Sequence, residues 1–417
     1  MGTAVVGSKS GVRLAAIASL VGCAGCDGSF VSTGNTVATP GDNVAELSVD
    51  QGLPGIGYIN GLFATVTLCV PGNAADCQTI DHILVDTGST GLRVLGSVLT
   101  LALPAWTDDS GQSIAQCCQF ISGSVWGTLR HADFRIAGEH ASDLAIQVID
   151  ESTYPMPAGC TGTDINTANM LGAKGILGIS SFLNDCGAAC AAALGKYSRN
   201  PELYYVCAEP PSGGCQPAAV PVSKQVSNPV AFFGQDSNGT IIELPAIPAE
   251  GSPSVTGALV FGIGTRENNG LGKAQVIRLD DAGEFLTRYP TNGKSQLSFI
   301  DSGSNAIFFE NTAIPGIAAC YDSQVPALSM FYCPGSPLNL SADIFDTFGR
   351  VSISVNFVAA NTVDLLGNSR SVAFNDLVGQ SGGPYFDWGL SFHFGRNVFT
   401  SIEGRTPSSG EDRFVAF

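Results

Sequence analysis

Positive charge is scarce in this chain. Of 417 residues only 19 are Lys or Arg, against 36 Asp or Glu, and the formal net charge is −17. From Leu14 to Leu92 there is no Lys or Arg at all. Phosphate backbones are gripped by clusters of such residues, so nucleic acid is excluded as a partner. The acidity suits work at low pH and equally suits a soluble extracytoplasmic surface. Histidine is also rare: there are four, none clustered with the cysteines, which weakens a zinc reading, and no metal or other cofactor is expected. The serines lack a neighbouring histidine, so a serine-hydrolase reading is poor. Long helical periodicity is nearly missing; the Ala-rich stretch 186–197, CGAACAAALGKY, is the best helix candidate.

What is present points to strands and turns. The chain holds 51 Gly and 22 Pro. Alternating segments such as LFATVTLCV and RVSISVNFV read as strands. The class is therefore all-β, and 417 residues exceed one ordinary core, so two lobes are expected.

The N-terminus reads as a bacterial export signal over 1–22. Lys9 and Arg13 flank LAAIASLVG, an apolar run too short to span a membrane. The run ends at Leu20-Val21-Gly22-Cys23, which resembles a lipobox, with Cys23 as the lipidated residue. CAGC (23–26) has no second pair of that spacing, so a redox or zinc CxxC is disfavoured. Residues 23–50 read as a polar tether. Localisation follows: exported, lipid-anchored to the bacterial envelope on its periplasmic or outer-membrane face, or secreted.

Thirteen cysteines in an exported chain read as disulfides closing short loops. Cys69–Cys77, Cys186–Cys190, Cys207–Cys215 and Cys320–Cys333 are local pairs. Cys117 or Cys118 bridges Cys160, with Cys117–Cys160 the pairing adopted and one thiol left over. Spacing alone does not fix this connectivity.

Two stretches carry the chemistry. HILVDTGSTGLRVL (82–95) and LSFIDSGSNAIFF (297–309) each run from apolar residues into Asp, a hydroxyl residue, Gly and Ser. A carboxylate at the tip of an apolar strand is costly unless paired or hydrogen-bonded. Downstream of Asp86 comes Ile176-Leu177-Gly178, with Gly178 at an offset of 92 (178 − 86). Downstream of Asp301 comes His393-Phe394-Gly395, with Gly395 at an offset of 94 (395 − 301). The chain thus reads as a lobe repeated, 51–264 and 265–417.

On these motifs the chain resembles the pepsin-like aspartic proteases. SGSVWGTLRHADFRIAG (122–138) is similar to that family's flap hairpin, with Ser122 and Gly123 at its turn, and TGALVFGIGT (256–265) to the strand closing the first lobe. The region CQTIDHILVDTGSTGLRVL also resembles a bacterial set of exported proteins of that type. The resemblance covers about residues 56–404. It implies a two-lobed fold with a central cleft, Asp86 and Asp301 as the catalytic pair, and peptide or protein as the partner of a monomeric enzyme. Thr87 and Ser302 would bond across the lobes, Gly88 and Gly303 would permit close approach, Ser89 and Ser304 would bond the outer carboxylate oxygens, and the two apolar-apolar-Gly strands would lie under the Asp loops. The implied function is an aspartic endopeptidase with no metal. The alternative is an inactive cleft that binds peptides or a partner protein.

Two positions depart from the family. The flap Tyr and the Trp after the first motif fall on Phe120 and Arg93. Phe120 can cover substrate only by apolar contact. Arg93 either pairs with an acidic substrate group or lies along the cleft wall as a structural cation. No zymogen with a basic leader is expected, since the span from Cys23 to the first strand lacks Lys and Arg. His82 and His131 read as strand-surface residues, and the sequons at 238–240 and 339–341 carry no weight in a bacterial protein.

Overall fold

The computed structural model of the chain describes residues 35–150, 152–195, 199–208, 214–290, 293–310, 314, 317–321, 325–350, 352–367, 370–405 and 412–417. The expected signal segment, Cys23 and the first part of the tether lie outside the described residues.

The chain is all-β. Among the described residues, strands dominate and no α-helix exceeds the six residues of Thr362–Gly367. The expected helix at 186–197 shrinks to Ala188–Ala191. The alanines favour a helix, but Gly187 enters at φ 60° and Gly195 follows in a left-handed conformation. A disulfide between Cys186 and Cys190 closes the turn, and one helical turn is what remains.

Two cores divide the molecule. The first is mostly aliphatic, built from residues such as Leu47, Val66, Val85, Leu177 and Leu259. The second is aromatic: Phe285, Tyr289, Phe309, Phe357, Phe386 and Trp388 pack ring against ring. A fifteen-stranded sheet wraps the first core and a seven-stranded sheet the second. The larger sheet continues across the molecule, because Gly239–Leu244 pairs antiparallel with Arg396–Ser401.

Each core contains the same four-strand arrangement. Cys77–Asp86 runs parallel to Gly175–Ile179, which is antiparallel to Thr90–Leu95, which in turn is parallel to Glu139–Ile149. In the second lobe Ser295–Ile300 runs parallel to Tyr385–Trp388, which is antiparallel to Ile307–Phe309, which is parallel to Val378–Gln380. Parallel neighbours are buried on both faces, so their strands are continuous apolar runs rather than alternating ones. Thr90–Leu95 is buried at every position, whereas the meander strand Ser352–Ala359 alternates.

Five disulfides join Cys69–Cys77, Cys117–Cys160, Cys186–Cys190, Cys207–Cys215 and Cys320–Cys333, and Cys118 is free. Two of them join residues directly opposite in antiparallel pairs, Cys69 with Cys77 and Cys207 with Cys215. Bridges in this number mark an oxidising, extracytoplasmic compartment. Among the described residues no helix is long and apolar enough to cross a membrane.

Phe309 is fully buried and touches four aromatic rings, those of Tyr289, Tyr332, Phe357 and Phe386. Phe309→Ala should therefore cost about 3–5 kcal/mol of unfolding free energy, read from denaturant midpoints, because a cavity among rigid rings cannot collapse.

Candidate active site

Asp86 ends Cys77–Asp86, and its last four residues are buried. The chain then turns so sharply that its own backbone cradles the carboxyl. The Gly88 N–H donates to Asp86 Oδ1 at 2.8 Å and the Ser89 hydroxyl to Oδ2 at 2.5 Å. Asp301 is held the same way: the Gly303 N–H donates to Oδ1 at 2.8 Å and the Ser304 hydroxyl to Oδ2 at 2.9 Å.

The two loops are locked together by Thr87 and Ser302, both buried. The Thr87 N–H donates to Ser302 Oγ at 3.0 Å, and the Ser302 N–H returns to Thr87 Oγ1 at 2.9 Å. The two hydroxyls then donate onward, Thr87 to the Ile300 carbonyl at 3.1 Å and Ser302 to the Val85 carbonyl at 2.8 Å. The glycines are required by space. A Cβ on Gly88 would sit 2.7 Å from Asp301 Cγ, and one on Gly303 would sit 2.8 Å from Asp86 Oδ1.

The carboxyls of Asp86 and Asp301 face each other, each against the glycine of the other's loop. Burial, and after it the charge of Asp301, pushes the Asp86 pKa up to about 8. A second carboxyl this close opposes ionisation of the first.

Gly175–Ile179 runs beneath the first loop, with Ile176, Leu177 and Gly178 all buried. A Cβ on Gly178 would lie 2.7 Å from the Ser89 carbonyl carbon. The second loop is supported elsewhere than expected. His393 ends the short helix Leu390–His393, Phe394 caps it, and Gly395 turns the chain toward Arg396–Ser401 at φ 77°. The strand under Asp301 is Tyr385–Trp388, in register Ile300 to Trp388, so the matching triplet is Asp387-Trp388-Gly389. A Cβ on Gly389 would lie 2.7 Å from the Ser304 carbonyl oxygen. The pattern was missed because a buried carboxylate occupies one of its bulky positions. His393 is fully buried, and burial pushes its pKa down to about 4.

Over the site arches the hairpin of Ser113–Phe120 and Gly123–Ile136. Phe120, Ile121 and Ser122 line the cleft, and Ile121 at the tip is 58% exposed. Gly123 lets the second strand press on Thr163 to Ile165, where a Cβ would meet Ile165 Cγ2 at 2.9 Å. The cavity, about 450 Å³, is lined from both lobes by Asp86, Asp301, Phe120, Phe182, Leu279 and Phe299 among others.

Arg93 is 1% exposed and already partnered. It donates to the carbonyl of Thr90 at 2.7 Å and to Asp185 Oδ2 at 3.1 Å. Asp185 is fixed in turn by Gln116 and by the Tyr204 hydroxyl at 2.6 Å. Its charge is thus paired within the protein, by Asp185. The guanidinium lies 5.9 Å from the Phe120 ring centroid, inside cation–π range. Asp185 carried no signal in the sequence, since its partner stands 92 residues away (185 − 93).

Two further neighbours of the pair were not singled out by the sequence. Tyr58 is 2% exposed, its hydroxyl has no hydrogen-bond partner, and burial together with Asp86 and Asp301 holds its phenol protonated. Cys118 faces the cleft as a half-buried thiol whose pKa is pushed up to about 11 by burial. His82 and His131 sit at the surface, each bonded to a carboxylate, Asp81 and Asp143. Among the described residues no group of His, Cys, Asp and Glu is arranged to hold a metal ion.

A family model described as "Protein of unknown function (DUF3443)" matches residues 39–417. The chain belongs to that family. The search of curated proteins gave no match. Among solved structures, the aspartic proteinase from Irpex lacteus is similar over 89% of this DUF3443 chain and 96% of its own, at 14% identity and a TM-score of 0.47.

Two variants probe the site's framework. Ser302→Ala leaves the Thr87 N–H and the Val85 carbonyl without partners in a buried seam, and should lower stability by about 1–3 kcal/mol in denaturant unfolding. Arg93→Ala strands Asp185 as a buried charge and should cost more, about 3–5 kcal/mol by the same measurement.

Proposed function

We propose that this protein is an aspartic endopeptidase, with Asp86 and Asp301 activating a water against a peptide carbonyl. One observation carries the reading: two carboxyls brought face to face by a hydrogen-bonded seam and cradled alike, on the floor of a cleft lined from two lobes. In this reading the ionised member takes a proton from the water while the protonated member polarises the scissile carbonyl. The water oxygen bonds to the carbonyl carbon. The tetrahedral intermediate collapses as the pair returns a proton to the leaving amine. The pattern is that of aspartic-protease dyads. The hairpin carrying Phe120 covers the substrate by apolar contact, and Leu279, Phe182 and Phe299 favour apolar side chains. The protein acts as a monomer outside the cytoplasm, held to the bacterial envelope by lipid on Cys23.

The test is cleavage of a mixed peptide library from pH 3 to 9, read by mass spectrometry beside Asp86→Asn and Asp301→Asn. Cleavage should vanish in both variants. Because the pair must keep one proton, and Asp86 holds it to about pH 8, activity should persist to near neutrality and fall as pH rises through that value. A folded, disulfide-bonded protein that cleaves nothing would leave the cleft as a peptide-binding groove, and cleavage surviving in either variant would remove the pair from the chemistry.

A further inference from the structure

Five charged side chains line the cleft: Asp86, Arg93, Asp185, Glu284 and Asp301. Four of them are accounted for. Asp86 and Asp301 are the facing pair, and Arg93 and Asp185 pair with each other. Glu284 is left. Among the described residues its carboxylate forms no ion pair and no hydrogen bond.

Its place follows from strand register. Phe285–Arg288 runs antiparallel to Ser295–Ile300, with Phe285 opposite Ser298, and both of these are buried on the core face. Side chains alternate between faces along a strand, so one step further Glu284 comes opposite Phe299 on the other face. Opposed residues in such a pair have Cβ atoms about 5 Å apart. Phe299 stands two residues before Asp301 and lines the cleft. Glu284 is thereby set close to the pair, and it is only partly exposed.

The turn before it closes the same corner. The Glu284 N–H donates to Asp280 Oδ1 at 3.0 Å, and the Asp280 N–H donates to the Glu284 carbonyl at 2.9 Å, which fixes 280–284 as a tight loop. The loop reaches the first lobe, since a Cβ on Gly283 would meet the Phe182 ring at 2.9 Å. Phe182, Leu279 and Phe299 supply the apolar wall here. Arg413 also touches this corner, over the Phe182 ring at 4.9 Å. Its guanidinium, however, donates to the Asp280 carbonyl and pairs with Glu403, and it does not line the cleft.

A partly buried carboxylate without a counter-ion is costly, and the missing charge is one that a substrate can bring. Lysine and arginine fit, because their aliphatic stems lie along apolar surface while the cationic tip reaches a carboxylate. An acidic side chain would be repelled.

We propose that Glu284 is a specificity-determining residue: its carboxylate receives the cationic tip of a lysine or arginine of the substrate, whose stem packs on Phe182, Leu279 and Phe299. This rests on the aspartic-endopeptidase reading and narrows its substrates to peptides with a basic residue at one fixed place beside the scissile bond.

In the mixed library, the sites cut by the wild type should be enriched in Lys and Arg at one position relative to the cut bond. Peptides of one sequence, with Lys, norleucine or Glu at that position, then give kcat/KM near neutral pH for the wild type, Glu284→Gln and Glu284→Lys. Norleucine keeps the stem and removes the charge. The wild type should favour Lys over norleucine about tenfold. Glu284→Gln should bring the two level, and Glu284→Lys should favour Glu over Lys. Each ratio is taken within one variant, so a loss of folded protein cancels. An equal Lys-to-Glu ratio in wild type and Glu284→Lys would overturn the proposal, as would a library with no enrichment of basic residues. If the wild type cleaves nothing, the endopeptidase reading fails on its own. Fluorescence anisotropy then decides on Glu284, using labelled leucine-rich peptides that carry Lys or Glu at each position in turn. Tighter binding of the Lys peptides, reversed in Glu284→Lys, would keep the charge preference; equal binding, or none, would remove it.

Discussion

Bringing two carboxyl groups face to face on a cleft floor makes a severe demand on the backbone around them. The loops after Asp86 and Asp301 come so close that a single Cβ at Gly88 or Gly303 would overlap the partner carboxyl. Glycine permits that approach but does not hold it. The hold comes from Thr87 and Ser302, whose four hydrogen bonds pass between the loops and end on the carbonyls of Val85 and Ile300. Those carbonyls belong to the strand ends that carry the two aspartates. The contact between the two loops and the geometry of the pair are therefore the same set of atoms. Each bond is worth only about 1 kcal/mol net, but leaving one end unmade in a buried seam costs more. The seam accordingly has one well-formed state and few tolerable neighbours.

The same local solution is built on two unlike cores. An aliphatic core lies under the first loop and an aromatic one under the second, yet the four-strand arrangement and the supporting glycine recur in both. What the loop needs from below is a close backbone and an apolar floor, and either composition can supply them. This explains why the halves are alike in topology while sharing little sequence beyond the Asp motif. Asp387 is the exception: a buried polar group placed where the repeat requires only bulk.

The parts of the site legible in the sequence are the local ones. Asp, hydroxyl, Gly and Ser make a cradle whose bonds span two or three residues, so four letters specify it. Fold class was legible for a similar reason, since alternating or continuous apolar runs report strand burial directly. The support under Asp301 was not. A search for two bulky residues and a glycine stops at His393-Phe394-Gly395 and passes over Asp387-Trp388-Gly389, because burial, not residue type, defines the role. Alanine content suggested a helix at 186–197, while Gly187, Gly195 and the Cys186–Cys190 bridge decided otherwise. The Arg93–Asp185 pair was invisible because nothing local links the two residues.

That pair also shows how a chain so poor in cations places one of them. Arg93 is buried in the cleft wall, satisfied by Asp185 and by the Thr90 carbonyl, with its face toward Phe120. A hydrogen bond to the hairpin would fix its height within a few tenths of an ångström, because such bonds weaken steeply with distance and angle. A cation facing a ring depends far less on angle, and holds out to about 6 Å. The hairpin strand is tied to the wall at Gln116, which donates to Asp185 and lies 3.5 Å from Arg93, whereas its Phe120 end, at 5.9 Å, is attracted without being pinned. The cost of burying the guanidinium is met by Asp185 and the Thr90 carbonyl, neither of them at the Phe120 end, so that end can move over the pair while Arg93 stays in place.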